Sequence, residues 1–488
     1  MKQKLKDIFK GPVIFYPPLL AAFPILFLYA YNISETSASQ MWLPLVISVA
    51  ASLVLWAILS LILRSLAKAG LATAIFLLFF FSYGHLYDVL EWGVFTPKHA
   101  YLLPGMLFIW GYCVYFISRA KRDFRITTKT HNIMAVVLIA INLFNIASYQ
   151  AKVARLSDVT PAEMPETSAA SPAELNNLPD IYFIILDEYA HPDTMKEWYD
   201  YDNSEFTNSL EDKGFFIASG SETQKMTSPL IIAQILNMEY LDYIPWSEVT
   251  YQKIAYSQVA NFLQAQGYQY IVFGNDFARY TWEKYAKNNV DLYFDYHGYD
   301  SSSMVTEFIH ILWNTTMLRP FYLYVTGSQY ENSYRCQTLH TLEKLKALPE
   351  LAGPKFVFVH FICPHEPFVF GPNDEYIAPA NWFDYSDKQF YLGQYIFISA
   401  EIEKVIDVLL DESEIPPIII LQSDHGLRPT HPGVVIGGNE WKKILNAMYL
   451  PGMDTEMLYD DISPVNTFRL IFNHYFDADY PLLEDDQE

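Results

Sequence analysis

An apolar run, Ile418-Ile419-Ile420-Leu421, breaks off into Gln422-Ser423-Asp424-His425-Gly426. Asp424 and His425 set a hard oxygen beside an imidazole nitrogen, a pair suited to a divalent metal such as zinc. The same two residues would equally serve as a helix-cap aspartate and a surface histidine, so the pair gains meaning only from partners elsewhere. A second apolar run, 180–186, ends in Asp187-Glu188, and a third, 356–360, leads through His360 to His365. Carboxylates and imidazoles gathered from three such ends would make a nitrogen-and-oxygen site for zinc or manganese, with magnesium or calcium as harder alternatives. A nucleophile is still missing, and Thr227-Ser228-Pro229 supplies one. Pro229 suits the first helical position, which makes Ser228 the predicted N-cap. A hydroxyl there lies in the positive end of the helix dipole, which favours its alkoxide and any bound anion. The plain alternative is that Ser228 only caps.

The elements that must position these residues are strands. Runs without polar alternation read as strands buried on both faces of a parallel sheet, and the carboxyl ends of such strands share one edge. Helical patterns at 204–213, 228–236, 259–265 and 387–410 alternate with strand patterns at 180–186, 269–273, 356–360 and 417–421. That alternation predicts an α/β domain with a mainly parallel central sheet and flanking helices, over 180–488. A further amphipathic helix is predicted over 463–476, and 151–179, rich in Pro, Ala, Ser, Thr and Glu, reads as a linker.

The 488-residue chain is 51 % hydrophobic and only 18 % charged, apolar enough to place part of it in lipid. Five apolar stretches, 13–31, 41–63, 70–87, 101–118 and 132–149, approach the ~20 residues that cross a bilayer. They predict a five-span α-helical transmembrane domain over 1–150, with the lipid bilayer as a partner. Lys2, Lys4, Lys6, Lys10, Arg64, Lys68, Arg119, Lys121, Arg122, Arg125 and Lys129 flank alternate ends of those stretches. The positive-inside rule then puts the N-terminus in the cytoplasm and everything after residue 150 outside it. Residues 1–150 hold 12 Lys and Arg against 5 Asp and Glu, a net of +7, while the remainder holds 20 against 50, a net of −30. So acidic a domain excludes nucleic acid bound through its phosphates. Cys113, Cys336 and Cys363 make no disulfide framework, though a Cys336–Cys363 pair stays open.

Taken together, Asp180 through Asp187, Ser228 nine residues before Asn237, Pro364-His365-Glu366-Pro367-Phe368, Ser423-Asp424-His425-Gly426 and Ser463-Pro464-Val465-Asn466-Thr467-Phe468-Arg469 resemble the alkaline phosphatase superfamily. The resemblance is to its membrane-anchored sulfatase-like branch, which includes lipoteichoic acid synthases and phosphoethanolamine transferases. It implies that Asp187, Asp424 and His425 are metal ligands. It implies that Ser228, where the branch usually has threonine, is a metal-bound nucleophile, with the adjacent Thr227 as the alternative. It also implies that His365 contacts the substrate's anionic group or a second metal, with His360, His431 and Glu188 as further candidates near the substrate. The expected activity is a metal-dependent phosphotransferase or phosphodiesterase in a plasma or inner membrane, its catalytic domain periplasmic or extracellular. Its expected substrate is an anionic lipid headgroup or an envelope glycan or polymer. Two rivals are a sulfate or phosphate monoester hydrolase and an inactive envelope scaffold. Thr227-Ser228-Pro229-Leu230-Ile231 lacks the Cys/Ser-x-Pro-x-Arg pattern of formylglycine sulfatases.

Overall fold

The structure is a computed structural model that describes residues 13–33, 36, 38–91, 98–156, 178–241, 248–274, 289–294, 307–321, 329–377, 387–431 and 434–485. In chain order the first elements are α1 (Tyr16–Tyr31), α2 (Ala38–Leu63), α3 (Leu66–Glu91), α4 (His99–Arg119) and α5 (Arg125–Leu156). Next come β1 (Ile181–Leu186), α6 (Pro192–Tyr199), α7 (Ser204–Asp212), β2 (Phe216–Ile217), α8 (Ser228–Asn237), α9 (Glu248–Ala255) and α10 (Gln258–Ala265). They are followed by β3 (Gln269–Phe273), β4 (Leu292–Phe294), α11 (Glu307–Thr315), α12 (Gln329–Lys346), β5 (Lys355–Phe361) and α13 (Gln389–Glu412). The last are β6 (Ile418–Ser423), β7 (Thr430–His431), β8 (Val434–Val435), β9 (Asn446–Tyr449) and α14 (Pro464–Tyr475).

Residues pack into two units, Met1–Arg155 with Ser301–Tyr330, and Leu156–Asp300 with Glu331–Glu488. Residues 307–321, within the predicted outer domain, group with the N-terminal helices. Most of the predicted linker, 157–177, lies outside the described residues, and 151–156 continue α5.

Among the described residues of the first unit, four helices, α2 to α5, are long and apolar enough to cross a membrane. The expected fifth span is shorter. Pro17 and Pro18 suit the first turn of a helix but not its interior, so α1 starts at Tyr16 and runs 16 residues, about 24 Å at ~1.5 Å per residue. Asn132 of α5 secures that start. Its Oδ1 accepts the backbone N–H groups of Phe15 and Tyr16, at 3.2 and 3.1 Å, and its Nδ2 donates to the carbonyl of Val13. These are donors that no helical carbonyl can satisfy. Gly70 of α3 admits α1 closely, since a Cβ there would stand 2.7 Å from the Tyr16 hydroxyl.

In the second unit, among the described residues, a seven-stranded sheet runs in the order β2-β9-β6-β1-β5-β3-β4. The five strands from β6 to β4 are parallel, while β9 is antiparallel to both β6 and β2. Every residue of β1, β5 and β6 is buried, which is why these strands show no polar alternation. Phe183 stacks on Phe358 and meets Phe468 of α14 edge-on, locking one face of the sheet under that helix. The three cysteines are free.

Lys355 opens β5 with its side chain almost wholly buried. Its ammonium lies 2.5 Å from Asp180 and donates to the carbonyl of Leu351. Removing one partner of a buried pair strands the other charge. Lys355→Ala should therefore cost about 3 kcal/mol of stability, read as a lower midpoint of thermal unfolding in detergent. An unchanged midpoint would mean the pair contributes nothing.

Candidate active site

Register brings the three strand ends together. Leu186, the last residue of β1, lies opposite Phe361 of β5 and Ser423 of β6. Asp187 and Asp424 therefore leave the sheet at one level. The backbone N–H of Asp187 donates to Phe361 at 2.8 Å, and that of Glu188 donates to Asp424 Oδ1 at 2.9 Å. The backbone N–H of His425 donates to the same oxygen at 2.8 Å. Gly426 closes the turn where no side chain fits, because a Cβ would lie 2.4 Å from the carbonyl oxygens of both Glu440 and Lys443. Ser423 Oγ accepts the N–H of Leu445 and so ties the end of β6 to the approach to β9.

Asp187, Asp424 and His425 are buried, and each offers a ligand atom within 4.8 Å of the others. His425 Nε2 lies 3.9 Å from Asp187 Oδ1 and 3.7 Å from Asp424 Oδ2. Its Nδ1 lies 2.8 Å from the carbonyl of Gly426, which fixes the tautomer and turns a lone pair on Nε2 toward the two carboxylates. Asp187 Oδ1 and Asp424 Oδ2 are buried with no hydrogen-bond donor among the described residues. Ionised oxygens left in that state are costly, and a divalent cation between them would satisfy both. The donor set fits such an ion. The electrostatics agree. Burial and the charge of Asp187 push Asp424 up. Burial would raise Asp187 too, but His365, His360 and His425 outweigh it and hold Asp187 below the ordinary carboxylate value. Burial opposes a charge on His425, and Asp424, Glu188 and Asp187 outweigh it, so His425 is raised.

Ser228 joins the group from α8, its Oγ donating to Asp187 Oδ2 at 3.4 Å. The expected cap is corrected by one residue. Thr227 is the N-cap, with extended backbone and no side-chain capping bond, and Ser228 is the first helical residue. Pro229 takes the second position, where its missing N–H is no more needed than at the first. The far end of α8 is pinned by Asn237, which donates to Lys253 and accepts from Gln258 N–H, and by Arg469 of α14, which donates to the carbonyl of Met238. That bond gives Arg469 a structural task among the motif residues.

His360 Nε2 lies 3.3 Å from Asp187 Oδ2. His365 stands at the margin with Glu366, and both contact Arg428, which sequence reasoning missed. Arg428 grips the fully buried Glu188 with Nε to Oε1 at 2.8 Å and Nη2 to Oε2 at 2.7 Å. The same Nη2 reaches Glu366 at 3.1 Å and His365 Nε2 at 3.0 Å. Glu188 itself has φ of 55°, a left-handed conformation that a non-glycine residue holds only when its surroundings insist. Tyr391 contributes by donating to the Glu188 carbonyl at 2.8 Å. The contact with Arg428 requires a neutral His365 ring. Burial favours that form too, but Glu366, Asp187 and Glu188 hold the group up at about 9. A cation on Asp187 would weaken their pull. His431 pairs with Val434 in the backbone of β7, and its side chain lies outside the described residues. The only trace of Arg428 in the sequence is a lone cation four residues after Asp424 in a strongly acidic half.

The family described as Sulfatase matches residues 179–466. No curated protein matches the chain. Among solved structures, the chain is similar to the zinc complex of the C-terminal periplasmic domain of EcEptC from Escherichia coli, at 12 % identity and a TM-score of 0.41, over 64 % of this chain and 86 % of that one. It is similar to the lipoteichoic acid synthase LtaP from Listeria monocytogenes, at 12 % identity and 0.39, over 63 % and 75 %. It is also similar to the integral membrane lipooligosaccharide phosphoethanolamine transferase A (EptA) from Neisseria meningitidis, at 13 % identity and 0.42, over 94 % of each chain. Carried by the family match across more than half its length, the chain belongs to the sulfatase family, as a sulfatase-like hydrolase or transferase of the alkaline phosphatase superfamily with helices of membrane-spanning length ahead of its catalytic unit.

Proposed function

We propose that this protein is a metal-dependent phosphotransferase or phosphodiesterase acting outside the cytoplasm on phosphoesters of lipid headgroups or envelope polymers. The observation that carries the reading is the Ser228 hydroxyl, held by Asp187 beside two buried carboxylate oxygens and an aimed imidazole. Asp187, Asp424, His425 and Ser228 would hold the cation, zinc or manganese by their donor types. A divalent cation in that set would supply positive charge to the nucleophilic oxygen and to a phosphoryl oxygen. Ser228 attacks phosphorus as the ester oxygen leaves in line, and phospho-Ser228 passes its group to an acceptor alcohol or to water. Arg428 and His365, at the partly exposed margin, suit the remaining phosphoryl oxygens. The lack of a formylglycine motif supports this reading over a sulfatase activity.

The outward placement does not need α1 to span. Arg64 and Lys68 stand at the junction of α2 and α3, and Arg119, Lys121, Arg122, Arg125 and Lys129 at the junction of α4 and α5. With both basic connections inside, α5 delivers the chain to the outside.

Three measurements test the proposal. Ser228→Ala should lose phosphodiesterase turnover by about three orders of magnitude or more, while Thr227→Val keeps most of it; the reverse pattern would move the nucleophile to Thr227. Protein purified without chelator should carry about one divalent ion per chain by elemental analysis, and Asp424→Asn should lose it with helicity unchanged. A metal-free wild-type protein that turned over phosphodiesters would sink the metal assignment. Arg428→Ala should lower kcat/KM about 10²-fold, and Arg428→Lys should recover only part, since an ammonium cannot make the paired contact.

A further inference from the structure

We propose that residues 307–321 form a membrane-interface anchor, seated at the boundary between acyl chains and headgroups of the bilayer. In sequence the segment falls between β4 and β5 of the catalytic sheet, yet it packs with the N-terminal helices. Only Glu307 and Arg319 are charged in a stretch that holds Phe308, Ile311, Trp313, Met317, Leu318 and Phe321. Phe308 is buried in a cluster with Ala22, Ile25, Leu26 and Tyr29 of α1 and Met41 of α2. Met317 is buried with Tyr83 of α3 and Met106 of α4, and its N–H donates to the carbonyl of Phe80 at 3.0 Å. Gly84 admits the segment, for a Cβ there would lie 2.0 Å from the carbonyl oxygen of Asn314. Arg319 turns inward, 2.5 Å from Asp88 and with its guanidinium 4.5 Å from the centroid of the Tyr87 ring.

These contacts all fall at one end of the bundle, and α3 shows the level of that end. Its apolar run Phe76 to Phe81 gives way to Ser82, Tyr83, Gly84, His85, Tyr87 and Asp88. The segment touches both sides of that change, at Phe80 and at Asp88. A change from apolar to aromatic and polar residues marks the edge of the hydrocarbon layer. Leu318 and Phe321 point outward, 36 % and 48 % exposed, on either side of the inward-turned Arg319 and Pro320. Leu86 and Val89, on the same stretch of α3 that Arg319 and Met317 contact, are exposed as well, at 38 % and 68 %. The occupant is lipid because that apolar surface continues the one a spanning helix presents to the bilayer. The local backbone is suited to that place. Thr316 and Phe321 donate to the carbonyls of Trp313 and Leu318, and the N–H of Leu318 donates to Thr316 Oγ1. The proposal is independent of the chemistry at Ser228.

The test uses the full-length chain with Cys113, Cys336 and Cys363 replaced by alanine, reconstituted in vesicles of zwitterionic and anionic phospholipid. A nitroxide is attached at Leu318→Cys or Phe321→Cys, with the exposed Glu412→Cys as control. Its collision rates with oxygen, which prefers lipid, and with a water-soluble nickel chelate are compared. The oxygen-to-nickel ratio should be at least fivefold higher at both positions than at residue 412. A ratio equal to the control at both would overturn the anchor, whatever the activity of the enzyme.

Discussion

Two carboxylates, Asp187 and Asp424, share one buried space at the end of a parallel sheet, and the surrounding structure answers the repulsion between them. Burial denies both the solvation that would make their charges tolerable. Around them stand the imidazoles of His360 and His425, backbone N–H groups on Asp424 Oδ1, and two carboxylate oxygens that have no donor among the described residues. A parallel sheet suits this arrangement because strands in matched register deliver residues from distant parts of the chain to one level. Leu186, Phe361 and Ser423 are the three residues whose alignment does so.

Around that centre lies a second layer of compensation. Glu188 follows Asp187 directly and is buried completely, so its charge also has to be met. Arg428 meets it with two hydrogen bonds, and Tyr391 holds the backbone carbonyl. The strained φ at Glu188 has its return in Asp424. The backbone turn that points the Glu188 side chain at Arg428 leaves its N–H on Asp424 Oδ1. The Asp187–Asp424 pair and the Arg428–Glu188 contact are thus parts of one bonded network.

Much of this was legible in the sequence, for reasons that can be named. β1, β5 and β6 are buried on both faces, and such strands cannot hide in a polar alternation. The helices α10, α13 and α14 announce themselves by apolar spacing. What stayed hidden depends on contacts between remote residues. Strand β9, between β2 and β6, is four residues long and owes its antiparallel course to pairing with those two strands. The length of α1 turned on two prolines whose cost in a helix interior outweighs a favourable hydropathy. Arg428 has no motif, because its partner Glu188 is 240 positions away. Residues 307–321 read as part of the α/β body because they interrupt it; nothing local says with which helices they pack.

That interruption has a practical meaning for how the enzyme is kept in place. The chain passes between its two units three times, after Arg155, before Ser301 and after Tyr330. A protease that cut in the stretch preceding β1 would not shed a water-soluble catalyst. The released piece would still carry Phe308, Met317, Leu318 and Phe321, oily side chains that belong with the helical unit left behind. Apolar contact with the helical unit is therefore written twice into one polypeptide, and the second copy lies inside the sequence of the α/β unit itself.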